Sequence, residues 1–177
     1  MMNRHRKAIY TMRREILNQS DIKKRVRIFV QEEVSALGNS PLSMTEQYQD
    51  VITEVLPFDD DTLDRLFDTA ADKFEQVLLT EALELYDQRE ASFTPEILRK
   101  IERDVYLQVL DDLWMQHLEN MDHLREGIHW IAVGQRDPLV EYRRQGQRLF
   151  EEMLVTLRHN IVRALFHAQP VDEDDLD

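Results

Sequence analysis

The residue types that could bind a metal ion gather in one short stretch, which contains His117, Glu119, Asp122 and His123. On a helix of about 3.6 residues per turn, Glu119 and His123 share a face, whereas His117 lies roughly 200° around the helix from Glu119. A tetrahedral metal site needs ligands that converge, and this spacing spreads them apart. The pattern therefore favours a hydrogen-bonded core histidine at position 117 over a metal ligand.

Side chains for covalent or acid–base catalysis are not grouped in a recognisable way. The chain has no cysteine, which excludes disulfides, thiolate ligands and cysteine nucleophiles. Its four glycines are too scattered to form a phosphate-binding loop. The adjacent carboxylates Asp111-Asp112 and Glu151-Glu152 point to different sides of a helix, as on a solvated face. We predict that this chain is not an enzyme and binds no metal or cofactor of its own.

Apolar residues are concentrated at a turn between two predicted helices. Trp130, Ile131 and Val133 lie there, flanked by Arg125 and Arg136. A turn has few neighbours that could bury such side chains, and clustered exposed apolar residues typically mark a binding surface. One alternative is that another part of the chain covers the turn. Another is that Trp130 is the last core residue of the preceding helix. We predict a binding surface.

Two long amphipathic helices position this turn. The first carries apolar residues spaced alternately by four and three, namely Leu110, Trp114, His117, Met121, Leu124 and Ile128. Asp137-Pro138 opens the second helix, whose facing residues are Tyr142, Gly146, Leu149, Met153, Leu157, Ile161 and Leu165. Two such stripes joined by a short turn predict an antiparallel helical hairpin.

The rest of the chain is also predicted to be helical, because it has 4 glycines, 5 prolines and no alternating β pattern. No glycine or proline interrupts residues 3–37, which favours one long helix, although Ser20-Asp21 could cap and break it. An acidic segment of two or three short helices follows. The expected division is a long helix over 1–38, a small lobe over 39–93, the hairpin over 94–170 and a disordered acidic tail over 171–177.

Charge is unevenly distributed along the chain. The net charge is −13, yet residues 1–30 hold nine lysines and arginines against two acids. A basic helix beside an acidic segment indicates contacts with partners. Nucleic acid is one possible partner, but no aromatic stacking platform accompanies the basic residues and the remaining chain repels phosphate. We therefore predict no nucleic-acid binding.

Targeting signals are absent from the sequence. No apolar run approaches the roughly 20 residues needed to span a bilayer, and no signal-peptide pattern opens the chain. We expect a cytosolic protein or a piece of one.

The predicted hairpin contains a specific string of residues. It reads Leu107-Gln108-Val109-Leu110-Asp111-Asp112-Leu113-Trp114-Met115-Gln116-His117-Leu118, then Met121-Asp122-His123-Leu124-Arg125-Glu126-Gly127-Ile128-His129, then Gln135-Arg136-Asp137-Pro138 and Glu141-Tyr142. This string resembles the two-helix finger of the SecA family of ATP-driven protein-export motors. Asn3, Arg6, Lys7, Ile9, Tyr10 and Arg13 resemble the start of the SecA scaffold helix, and residues 41–93 occupy the place of its helical wing.

The resemblance implies an all-α scaffold, wing and finger that work mechanically and regulate an ATPase. The finger tip, formed by Trp130, Ile131 and Val133 with Arg125 and Arg136, would contact the SecY channel or the preprotein. ATP and Mg²⁺ would bind only in motor domains that this chain lacks. The residues expected to dock those domains are Arg6, Lys7, Tyr10, Arg13 and Arg14.

The resemblance also implies a location and leaves alternatives. The protein would be cytoplasmic and peripheral at the inner face of the bacterial plasma membrane, and a homodimer is plausible from the apolar edge of its first helix. Many relatives carry a tyrosine where this chain has Val133, so a role that needs a phenol at the tip does not carry over. The alternative function is an autonomous helical adaptor that uses the same apolar tip on another protein.

Overall fold

The computed structural model describes residues 1–18, 21–39, 46–131 and 137–169, without the side chains of residues 46, 129 and 131. These residues confirm the all-α prediction, since they contain no β-strand and form seven helices. In chain order the helices are α1 (Met2–Leu17), α2 (Ile22–Gly38), α3 (Glu46–Val55), α4 (Asp60–Phe67), α5 (Phe74–Phe93), α6 (Pro95–Ile131) and α7 (Pro138–His167).

Two compact units make up the chain, and the first contains residues 1–20 and 106–158. Its core is formed where α1, α6 and α7 meet. His117 contacts Phe150, with ring centroids 5.6 Å apart, while Met121, further along α6, reaches the earlier residue Gly146. The contacts therefore run in opposite directions along α6 and α7. This confirms the antiparallel hairpin, and the predicted facing residues Leu110, His117 and Met121 are buried.

The second unit contains residues 21–105 and the chain from 159 onward. Two ion pairs fix α2 against α5, since Lys23 Nζ lies 2.7 Å from Glu90 Oε1 and Arg27 Nη1 lies 3.0 Å from Asp87 Oδ1. Tyr48 on α3 donates a hydrogen bond of 2.8 Å to the carbonyl of Leu37. Fully buried side chains of this core include Val26, Val30, Ile52, Leu66, Leu78 and Phe166.

The single helix expected over 3–37 is wrong. The structure ends α1 at Leu17 and starts α2 at Ile22. Asp21, the residue before α2, has φ 29°, a left-handed conformation that aspartate tolerates better than most residues. The break therefore lies between Leu17 and Ile22, the stretch in which the sequence offered Ser20-Asp21 as the alternative. Asp21 does not cap α2 with its side chain.

Aspartate side chains cap two of the helices, and the one at Asp137 confirms the predicted start of the second hairpin helix. Asp59 Oδ1 accepts a hydrogen bond of 2.8 Å from the Thr62 amide at the start of α4. Asp137 does the same for the Leu139 amide, at 2.9 Å, and Pro138 takes the first position of α7. The predicted tail over 171–177 lies outside the described residues.

Gly38 is the last residue of α2, and no described glycine has a positive φ. A Cβ at this position would lie 3.2 Å from Cγ of Glu75 on α5. Gly38 therefore permits close approach of two helices rather than a left-handed turn.

α2 ends at Gly38 and α5 ends at Phe93. The division of the chain into a long helix, a small lobe and a hairpin at these positions stays a prediction. No helix of the described residues is both long enough and apolar enough to cross a membrane.

Candidate functional site

Trp130 lies in the last turn of α6, and 83% of its surface is exposed. The preceding stripe residue Ile128 is buried, so the inward face of α6 ends there. Trp130 follows by two residues, which rotates its side chain about 200° from that face. It is therefore not the last core residue of the helix, and one alternative reading of the sequence is removed.

The first turn of α7 adds two further apolar side chains to this end of the hairpin. Leu139 and Val140 are 54% and 60% exposed. The Asp137 cap fixes the start of the helix that carries them. Neither residue was among the predicted tip residues, although their position directly after the Asp137-Pro138 helix start could have indicated them. We call Trp130, Leu139 and Val140 the tip surface.

Charged groups around the tip surface are engaged with near neighbours on their own helices. Arg125 Nη2 lies 3.3 Å from Asp122 Oδ1, and both side chains are exposed. Glu141 is buried and accepts hydrogen bonds from Arg144 at 2.5 Å and Gln145 at 2.7 Å. An exposed ion pair such as Arg125–Asp122 contributes at most about 1 kcal/mol to stability. Arg125 can therefore leave Asp122 and pair with a carboxylate of a binding partner at low cost.

The other predicted tip residues cannot be placed. The Ile131 side chain, Val133 and Arg136 lie outside the described part of the chain. The structure therefore locates Trp130 and Arg125 of the predicted set, and it brings Leu139 and Val140 to the same end of the hairpin.

The predicted docking residues divide into two groups. Arg6, Lys7, Tyr10 and Arg14 are exposed, and together with Asn3 and Thr11 they line a shallow groove along α1. Arg13 instead forms an ion pair with Asp111 of α6. Arg13 thus holds α1 to the hairpin.

His117 is a core residue, as its spacing favoured. It is 2% exposed, and its Nε2 lies 3.1 Å from Nδ1 of His5 on α1. The His5 ring stacks on Phe150, with centroids 4.1 Å apart. Burial lowers the pKa of His117 to about 4, and the neighbouring His5 adds to this effect. The part of the chain described by the structure contains no group of three histidine or carboxylate side chains that could hold a metal ion.

Comparison with known proteins places this hairpin in a family. A family model described as the SecA Wing and Scaffold domain matches residues 1–169. The chain belongs to the SecA wing and scaffold family. This match covers α1 to α7, including the tip surface and the basic groove of α1.

Curated SecA proteins are similar in sequence to this chain along nearly its whole length. The protein translocase subunit SecA of Micrococcus luteus is 40% identical over 96% of this chain. Those of Gloeobacter violaceus and Clostridium botulinum are 35% and 33% identical, over 100% and 96% of the chain. The chain spans about a fifth of the length of each of these relatives, with shares of 20%, 20% and 21%.

Proposed function

We propose that this chain is the scaffold, wing and finger part of a SecA-type protein translocase. It lacks catalytic groups of its own and passes motion from ATPase domains elsewhere in the protein to a preprotein in the SecY channel. ATP and Mg²⁺ would bind in those domains. The translocase would act at the cytoplasmic face of the plasma membrane, and the chain would also restrain the ATPase.

The observation that carries this proposal is the group of exposed apolar side chains at the end of a two-helix finger. Trp130 has 83% of its surface exposed, and large apolar side chains exposed together typically mark a binding surface. Leu139 and Val140 extend the apolar area on the adjoining helix. Such a surface suits either an apolar wall of a channel or the side chains of an unfolded polypeptide.

Photocrosslinking from position 130 tests the proposal. The matched segment of the Micrococcus luteus SecA would be replaced by this chain, with Trp130 changed to a photoreactive phenylalanine. The chimaera would be combined with membranes that contain the channel and with a preprotein. We expect ATP-dependent crosslinks to the channel or to the preprotein, and their relative yields would show which of the two the tip touches.

Position 115 supplies the matched control. Met115 is 64% exposed and lies on the same helix, fifteen residues before Trp130. A probe at 115 should give few crosslinks to either partner. Equal crosslinking from both positions, or crosslinks from 130 only to other soluble proteins, would reject the finger role and favour the adaptor alternative.

A further inference from the structure

The basic groove of α1 combines three cations with an exposed tyrosine. Packing of α1 against the hairpin does not require these residues. The lining of the groove consists of Asn3, Arg6, Lys7, Tyr10, Thr11 and Arg14, and the groove has a volume of about 430 Å³. All six residues lie on one helical face, at spacings of three and four. Tyr10 in the middle of this face is 59% exposed.

The cations of the groove differ in their pairing from the basic residues that lie between helices. Lys23 and Arg27 of α2 are paired with carboxylates of α5, and Arg13 is paired with Asp111. Within the described residues, Arg6, Lys7 and Arg14 form no ion pair. Three unpaired cations thus surround an exposed aromatic ring in a protein whose net charge is −13.

We propose that this groove binds an acidic helical segment from the remainder of the same translocase, which places an apolar side chain on Tyr10 between two carboxylates. The inference rests on the proposed function, because it requires the longer SecA-type protein. It goes beyond that function by giving the docking surface a partner of defined chemistry.

The spacing of the cations sets the spacing of the carboxylates. Lys7 and Arg14 are seven residues apart, which on a helix corresponds to about 10 Å. A helix lying antiparallel to α1 would match this distance with two acidic residues seven positions apart. A residue three positions from one of them and four from the other would rest on the Tyr10 ring, as Tyr10 itself lies three residues from Lys7 and four from Arg14. Each carboxylate then meets one cation, and the apolar contact excludes water from both pairs.

An acidic polypeptide fits this groove better than a nucleic acid does. Nucleic acid carries one phosphate about every 1.7 Å of duplex, and each added phosphate is repelled by the acidic remainder of a chain with net charge −13. A segment with two or three carboxylates meets far less repulsion. A single tyrosine also offers only one stacking surface, whereas single-strand binding sites use several.

Photocrosslinking from position 10 in the chimaera described above tests the groove. A photoreactive phenylalanine replaces Tyr10, and mass spectrometry identifies the attached peptide. We expect one dominant attachment outside the wing and scaffold segment, next to two acidic residues about seven positions apart. Lys7→Glu should lower its yield about tenfold, because it places like charges together.

Arg4→Glu is the matched control, since Arg4 is exposed on the same helix and does not line the groove. Its crosslinking yield should stay close to that of the unchanged protein. Equal losses with Arg4→Glu and Lys7→Glu would overturn the proposal, as would attachment to nucleic acid, to lipid or to a segment without acidic residues. The probe at position 130 separates the two hypotheses: tip crosslinks without groove crosslinks would reject only this one.

A second measurement does not depend on the chimaera. The isotope-labelled chain would be titrated with a helical peptide that carries two glutamates seven residues apart around a leucine. A peptide with the same composition and glutamates five residues apart serves as the control. We expect the first peptide to shift the resonances of Lys7, Tyr10 and Arg14 selectively. Equal shifts with both peptides, or none up to millimolar concentration, would overturn the proposal.

Discussion

His117 and His5 form a neutral hydrogen-bonded pair inside the first compact unit. One ring must donate and the other accept across the 3.1 Å between their nitrogens. Burial lowers the pKa of both rings, that of His117 to about 4. The ring of Phe150 packs on both histidines, with its centroid 4.1 Å from that of His5 and 5.6 Å from that of His117.

This pair predicts a loss of stability in acid. Between about pH 6.5 and pH 4 an unfolded chain binds a proton at position 117 that the folded chain does not. The free energy of unfolding should therefore decrease as the pH falls through that window, by up to about 3 kcal/mol. Urea unfolding at pH 7 and pH 4.5 measures the difference.

Two variants isolate the contribution of His117. His117→Gln should reduce the difference in unfolding free energy between the two pH values, although it also lowers stability at pH 7. His123→Gln alters an exposed histidine on the same helix and should leave the difference unchanged. If both variants respond to pH as the unchanged protein does, the buried pair is not the source of the acid sensitivity.

At the level of elements, a buried charged cluster joins α5 to α6. Glu102 is fully buried and accepts a hydrogen bond from the hydroxyl of Tyr86. Arg99 lies 2.6 Å from Glu102 and 2.8 Å from Glu90, measured from guanidinium nitrogen to carboxylate oxygen. Burial raises the pKa of Glu102, while the Tyr86 hydroxyl and Arg99 act in the opposite direction.

Removal of the cation from this cluster should be costly. Arg99→Met leaves the Glu102 carboxylate buried with only the Tyr86 hydroxyl as partner, and we expect a loss of about 3 kcal/mol in the free energy of unfolding. Arg65→Met removes a cation from the exposed pair with Glu81, where the distance is 3.4 Å. That variant should lose less than about 1 kcal/mol. Similar losses in both variants would contradict a special role for burial.

The two glycines inside the finger helices should respond to substitution in opposite directions. A Cβ at Gly127 of α6 would meet nothing within 4 Å, so Gly127→Ala should stabilise the protein by about 1 kcal/mol through helix propensity. Gly146 of α7 is buried, and a Cβ there would meet the terminal methyls of Met1 and Met121. These flexible side chains could move aside for a methyl group, but the larger side chain of Gly146→Leu should lose about 2 kcal/mol through overpacking. Thermal unfolding of both variants checks the two signs.

The sequence predicted the long helices of the hairpin better than it predicted the break between helices or the side-chain contacts between distant residues. The apolar stripe from Leu110 to Ile128 and the helix start at Asp137-Pro138 are local sequence patterns. The structure confirms both, because these patterns depend only on residues close together in the chain. The break between α1 and α2 was predicted only as the alternative at Ser20-Asp21, because no glycine or proline marks it and the φ of 29° at Asp21 is uncommon for a residue other than glycine. His5 could not be paired with His117 either, since the two are 112 residues apart.

For the whole molecule, the net charge of −13 opposes the folded state through self-repulsion. The direct ion pairs, such as Lys23–Glu90 at 2.7 Å, are screened less by salt than the long-range repulsion is. An increase of sodium chloride from about 20 to about 200 mM should therefore raise the melting temperature by a few degrees. Differential scanning calorimetry would measure it, and a decrease would show that exposed ion pairs outweigh the repulsion.

The contacts of α1 also have a consequence for synthesis on the ribosome. His5 packs on Phe150, which the ribosome adds 145 residues later. At an elongation rate of about 5–20 residues per second, Ile9 and Ile16 wait on the order of ten seconds for the surface that buries them. During that interval the nascent chain displays an amphipathic basic helix, the kind of segment that chaperones bind. Slower translation of residues 20–150 should lengthen this exposure and lower the yield of folded protein.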